Sequence, residues 1–188
     1  MSEPVQTGLT WDDLLAFGED GVRRELIDGA MYVSPAARYR HQHVVVCLSA
    51  RILAFVEERG GSVAAGPNVY FTREDTVEPD VVVLAPHDLH RIEGLVVRGA
   101  PTLVIEVSSP SNRRYDLIMK RALYERFGVP EYWFVDLDRD RIHVYRLDQG
   151  RYGDPEVVAR GEKVRSAAMD GLILEVDDVL GPPEDSGS

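Results

Sequence analysis

Cysteine and lysine are among the residue types this chain has least of. The single cysteine, Cys47, sits in the apolar series VVVCL with no second thiol to pair with, which excludes a disulfide and reads as a small core residue. Of 21 basic residues only Lys120 and Lys163 are lysines, the rest being arginines. Arginine offers a fixed fork and lysine a compact ammonium whose pKa can be tuned, so a retained lysine hints at chemistry, with Lys163 as the neutral case. No apolar run approaches the roughly 18 residues of a membrane-spanning helix. No basic segment followed by an apolar core opens the chain as a secretory leader would, so the expected compartment is the cytoplasm. Basic residues are also missing from both ends: residues 1–20 and 166–188 carry eleven acids and no Lys or Arg.

The net charge of -11 argues against a polyanionic partner, because phosphate binding is driven largely by Lys and Arg. Setting the terminal acids aside leaves 21 acids against 21 basic residues, a formally neutral centre that can hold a local basic groove. Loose, non-specific binding to duplex DNA is disfavoured. A chain of 188 residues with 44% hydrophobic content suits one domain, residues 1–180, followed by a disordered acidic tail at 181–188.

Local patterns fill in the domain. WDDLLAFG at 11–18 reads as a short helix capped by Thr10 and stopped by Gly18. RRELIDGAMYVSP reads as a hairpin turning at Asp28-Gly29. The longest helix runs from about Ala37 to Arg59, with Val44, Val45, Leu48, Ile52 and Phe55 on one stripe. Strands are expected at 62–65, 68–72 and 79–84, with a loop or helical turn over 86–92. The continuous apolar run TLVIEV then has the pattern of a strand covered on both faces. Ser109-Pro110-Ser111 breaks it before a helix over about 113–127, and the strands EYWFVDLD and RIHVYRLD turn near 138–140. Weaker strands at 156–159 and 172–176 should finish the sheet. This order defines an α/β domain with a central mixed sheet flanked by helices and extra strands at both ends.

Two carboxylates stand at strand boundaries. Asp80 precedes VVVL and Glu106 ends LVIE. Either alone marks a solvent edge; both together, on strands apolar enough to be central, need something positive between them. Hard oxygen ligands of this kind suit Mg²⁺ or Mn²⁺. On the following helix, at about 100° per residue, Leu117, Leu123, Tyr124 and Phe127 share a face with Lys120 in its middle. The plain reading has its ammonium snorkelling out or pairing with Asp116; the functional one points it at Asp80 and Glu106.

Asp, Glu and Lys in this order resemble the site of PD-(D/E)xK nucleases, and the chain resembles the bacterial Uma-type family of restriction-endonuclease-like proteins. The matching pieces are ELIDG at 25–29, SPAARYRHQ at 34–42, EPDVVVL at 78–84 and IEVSSPSNRRYDLIMKRALYERFGVPEYWFVD at 105–136. The resemblance implies a restriction-endonuclease-like fold and Mg²⁺-dependent hydrolysis of DNA, leaving a 5′-phosphate. It makes Asp80 and Glu106 metal ligands, joined by the backbone carbonyl of Val107. The motif lysine would fall at position 108, where this chain has Ser108, so Lys120 becomes a lysine migrated to the helix. Glu25 is a candidate additional acid, or a surface residue paired with Arg23. His41 is a candidate for a phosphate or the metal shell, or a packed histidine, and His43 reads as exposed. Arg113, Arg114 and Arg121 could contact a DNA backbone or form a solvated helix surface. Two other readings stay open: a non-catalytic DNA-binding or protein-interaction module, with a homodimer as the commonest assembly, and a hydrolase of a smaller phosphoester.

Overall fold

The computed structural model describes residues 4–18, 20–34, 38–109 and 112–182. The expected helix start at Ala37, the turn residues Pro110 and Ser111, and the tail from 183 onward lie outside the described residues.

The chain begins with α1 (Trp11–Ala16), where the Asp13 carboxylate accepts from the backbone N–H of Thr10 at 2.8 Å. A hairpin of β1 (Arg24–Ile27) and β2 (Ala30–Val33) follows. Its two turn residues, Asp28 and Gly29, both take positive φ (52° and 69°), as a two-residue hairpin turn that matches strand twist requires. Helix α2 (Tyr39–Glu57) buries His41, Val44, Val45, Leu48, Ile52 and Val56 along one face. Cys47 stands beside that face, only half-buried and 3.5 Å from His43, so the core reading of this cysteine is corrected: it belongs to the helix flank.

Next come β3 (Ser62–Ala65), β4 (Asn68–Thr72), β5 (Asp75–Val77), β6 (Val81–Leu84), a 3₁₀ turn (Pro86–Arg91), β7 (Ile92–Glu93), β8 (Val96–Arg98) and β9 (Leu103–Val107). A π-helical segment (Tyr115–Lys120) leads directly into α3 (Arg121–Arg126). The remainder is β10 (Glu131–Asp136), β11 (Arg141–Asp148), β12 (Arg151–Tyr152), β13 (Glu156–Ala159), β14 (Lys163–Arg165), β15 (Ile173–Glu175) and α4 (Val176–Leu180).

These strands form two large sheets instead of one. The first, of six strands, runs β2-β1-β5-β4-β8-β7; the second, of seven, runs β12-β11-β10-β9-β6-β3 with β13 beside β11. The second sheet is mixed, since β9 and β10 pair in parallel while β6 and β9 pair antiparallel. Strands 172–176 were expected to finish it, but β15 pairs with β14 in a separate ribbon, where Lys163 meets Glu175 at 2.6 Å on the surface.

Alternation along the central strands builds two cores on opposite faces of the second sheet. Leu103, Ile105 and Val107 of β9 join Val81 and Val83 of β6 in a cluster with the buried stripe of α2 and with Val176, Val179 and Leu180 of α4. Val104, Val82 and Leu84 face the other way, toward Ile27 and Tyr32 of the first sheet and Leu123 and Tyr124 of α3. The central sheet is thus covered by helices on one face and by the smaller sheet with the π–α3 segment on the other. Strands buried on both faces read as continuous apolar runs, as β6, β9 and β10 do.

Candidate active site

Strand register delivers the two carboxylates to one place. β6 and β9 are paired through Val81↔Ile105, so Asp80 and Glu106 occupy the next step along each strand. By the two-residue period both lie on the face that carries Val82 and Val104, toward the first sheet and the π–α3 segment. β6 begins only at Val81 because Asp80 substitutes its side chain for the ladder: its Oδ2 accepts the Val107 N–H at 2.7 Å. The same oxygen lies 3.1 Å from His41 Nε2, reached from the N-terminal turn of α2. Its other oxygen, Oδ1, accepts from Arg23 Nη1 at 2.8 Å.

Lys120 closes the cluster from the opposite side. Its ammonium lies 2.9 Å from Glu106 Oε1 and 2.7 Å from Glu25 Oε1, with Asp116 at 3.9 Å. Glu106 Oε1 also accepts from Tyr124 O–H at 2.6 Å. The backbone N–H of Glu78 donates to Glu25 Oε1 at 2.8 Å, while Glu25 Oε2 is buried with no partner. Glu25 is fully buried, which removes its reading as a surface residue. The lysine stem does not snorkel either: Lys120 is 2% exposed. It ends the π-helical segment, a local under-winding that often marks functional positions, and so presents Lys120 and Asp116 to the same cluster.

The charges respond to this crowding. Burial pushes Glu106 up to about 7, with Asp80 and Glu25 adding repulsion against the pull of Lys120 and Arg23. Burial likewise holds Asp116 well above the ordinary carboxylate range. Asp80 goes the other way: despite burial, its contacts with His41 and Arg23 keep it far below that range. Lys120 is held above its ordinary value because attraction to Glu106 and Glu25 outweighs desolvation, so it stays protonated at any physiological pH.

Asp80, Glu106, Lys120, Glu25 and His41 are therefore brought together, and Val107 enters through its N–H on Asp80. The three arginines expected beside DNA are not part of this group. Arg113 is engaged by Asp136 at 2.7 Å, Arg121 lies over the Tyr145 ring at 5.4 Å, and Arg114 is exposed on the helix surface. Ser108, at the motif's lysine position, is buried and its Oγ accepts the Leu137 N–H at 2.9 Å. Three participants were not anticipated in their roles. Arg23 caps Asp80, Tyr124 fixes Glu106, and Asp116 adds a buried acid. Tyr124 and Asp116 carry a signal, since each is four positions from Lys120 in the sequence.

A hard divalent cation calls for several oxygen donors converging on one point. Among the described residues no three His, Cys, Asp or Glu side chains converge as a ready metal cluster; Lys120 and Arg23 cap the carboxylates instead. The donor chemistry fits all the same. Four buried acids (Glu25, Asp80, Glu106, Asp116) face two permanent cations, and Glu25 Oε2 is unsatisfied. The cluster borders a cavity of about 530 Å³ lined by Arg23, His41, Glu78 and Asp80.

This α/β fold with a central mixed sheet is that of the restriction-endonuclease-like class. The profile of the Uma2 family, described as "Putative restriction endonuclease", matches residues 11–177, and the chain belongs to that family. Among solved structures it is similar to a protein from Anabaena variabilis ATCC 29413 described as a putative nuclease belonging to DUF820. The TM-score is 0.79 at 21% identity, covering 92% of this chain and 97% of that one. No curated protein matches. Among the described residues no helix is long and apolar enough to cross a membrane.

Proposed function

We propose that this chain is a divalent-metal-dependent nuclease that hydrolyses DNA phosphodiester bonds at the Asp80, Glu106 and Lys120 cluster. The observation that carries the reading is a fully buried lysine held against Glu106 and Glu25, one strand step from Asp80. Asp80, Glu106 and the Val107 carbonyl would hold Mg²⁺ or Mn²⁺, which supplies charge for the phosphate and acidity for an attacking water.

The remaining work falls to the protein's own groups. Lys120 keeps its proton, so it acts as a fixed cation that orients water and offsets charge on the phosphate, and not as a base. Tyr124 and Lys120 together fix the Glu106 carboxylate by converging on one oxygen. His41 and the Val107 N–H do the same for Asp80 Oδ2. The cavity beside Asp80 gives a phosphodiester its approach.

The test incubates purified protein with plasmid and single-stranded DNA in Mg²⁺ or Mn²⁺, beside Asp80→Asn and Lys120→Ala. Cleavage to 5′-phosphate ends by the wild type and loss in both variants is expected; equal activity in all three would overturn the reading. A smaller phosphoester is the second reading, favoured by the -11 net charge and by the engagement of Arg113 away from the cluster. Salt separates the two, because affinity for a substrate touching many phosphates falls steeply as salt rises.

A further inference from the structure

The two cations of the cluster are not equivalent. Lys120 is enclosed, does not line the cavity, and touches two carboxylates within hydrogen-bond distance. Arg23 lies in the irregular segment before β1, lines the cavity, and has a side chain 24% exposed while Asp80, Glu106 and Glu25 are 5% or less. Its hold is also partial. One nitrogen donates to Asp80 and another to the Glu78 carbonyl, but Glu25 and Glu106 stand at 3.8 and 3.9 Å, beyond hydrogen-bond reach, and its Nε has no partner. A guanidinium fork matched to carboxylate or phosphate is here spending only one N–H on a carboxylate. Meanwhile it covers Asp80 Oδ1, the oxygen left over after His41 and Val107 take Oδ2.

We propose that Arg23 is a displaceable counter-ion: it caps Asp80 in the metal-free protein, yields Asp80 Oδ1 to the divalent cation, and turns its guanidinium to the phosphodiester in the adjoining cavity. This rests on the metal-dependent reading above. Its physical content is a competition. Two cations drawn to one oxygen of a buried site repel each other at close range, so apparent metal affinity is reduced by the fraction of molecules in which Arg23 still occupies it. The released fork meets the phosphate with the geometry that arginine recognises best.

Calorimetric titration of Mn²⁺ into wild type, Arg23→Gln and Asp80→Asn tests the first half. Binding about tenfold tighter or more in Arg23→Gln, and lost in Asp80→Asn, is expected. Wild-type binding that depends on Asp80, with no tightening in Arg23→Gln, overturns the Arg23 proposal and leaves the metal site standing. No binding by either wild type or Arg23→Gln overturns both. A measurement on the wild type guards against misfolding of the variant: the Arg23 Nε–Hε resonance, assigned by its absence in Arg23→Gln, should shift on Mg²⁺ addition, and an unmoved resonance at saturating Mg²⁺ sinks the displacement. For the second half, affinity for a short single-stranded oligonucleotide in Ca²⁺ should fall in Arg23→Gln; unchanged affinity removes the phosphate contact.

Discussion

A lysine buried to 2% exposure survives only because two carboxylates hold it, and that makes Lys120 a structural cation as well as a chemical candidate. Its replacement by methionine should leave Glu25 and Glu106 facing each other uncompensated. The expected loss is about 3–5 kcal/mol in urea unfolding, the usual cost of breaking one side of a buried pair. Adding Glu106→Gln to Lys120→Met should return part of that loss, since one of the unpaired charges goes with it; additive losses would deny the coupling. Ser108 supplies a second test at this scale. Just past β9, its buried hydroxyl oxygen accepts the Leu137 N–H, a bond that a lysine side chain, which only donates, cannot replace. A lysine restored at the motif position, Ser108→Lys in a Lys120→Ala background, should therefore not recover DNA cleavage, and recovery would show that the lysine's origin in the helix is immaterial.

The elements show how strands and helix ends place these groups to within one residue. Gly61 lies where α2 hands over to β3, and a Cβ there would sit 2.8 Å from the Leu84 carbonyl oxygen at the end of β6 and 3.3 Å from Val56 Cβ. Gly61→Ala must push β6 and α2 apart, so a loss of about 1–3 kcal/mol is expected in urea unfolding. An unchanged midpoint would mean that the turn moves freely. Much of this level was legible in the sequence because burial on both faces writes itself as the apolar runs VVVL, LVIEV and EYWFVD. Asp80, Glu106 and Lys120 stood out as charges interrupting such runs or stripes. Other parts left no such mark. β5 and β8 are three residues each, too short for a period, and so the second sheet was not separable from the first. A π-helical turn changes backbone winding without changing residue type, and Arg23 meets Asp80 across 57 positions, a pairing that only tertiary folding creates. The surroundings of the arginines at 113, 114 and 121 were illegible for a related reason: nothing local reveals that Asp136 already engages the first of them.

For the whole molecule, the excess of buried acid over buried base turns into a dependence of stability on pH and metal. Glu106 is raised in the folded protein from 4.5 to about 7, chiefly by burial. Between those values the unfolded chain has released this proton while the folded chain retains it, so the folded state binds more protons and stability falls as pH rises through the window. Asp116, raised for the same reason, pulls in the same direction. Asp80 is lowered, and its contribution is complete above the ordinary Asp value of 3.8 and is lost only as pH falls below it, outside the window in question. Urea unfolding without divalent metal should therefore show a higher midpoint near pH 5 than near pH 7.5, by a free energy on the order of a few kcal/mol. Glu106→Gln should flatten part of that slope, because it removes one titrating group while keeping an acceptor for Lys120 and Tyr124 and leaves Asp116 in place. Saturating Mg²⁺ should raise the midpoint most at the alkaline end, where the acids are ionised and available to it. A midpoint that climbs from pH 5 to 7.5 in the metal-free wild type would mean that the cluster's carboxylates are balanced by their cations, and that no divalent ion is needed to complete the site.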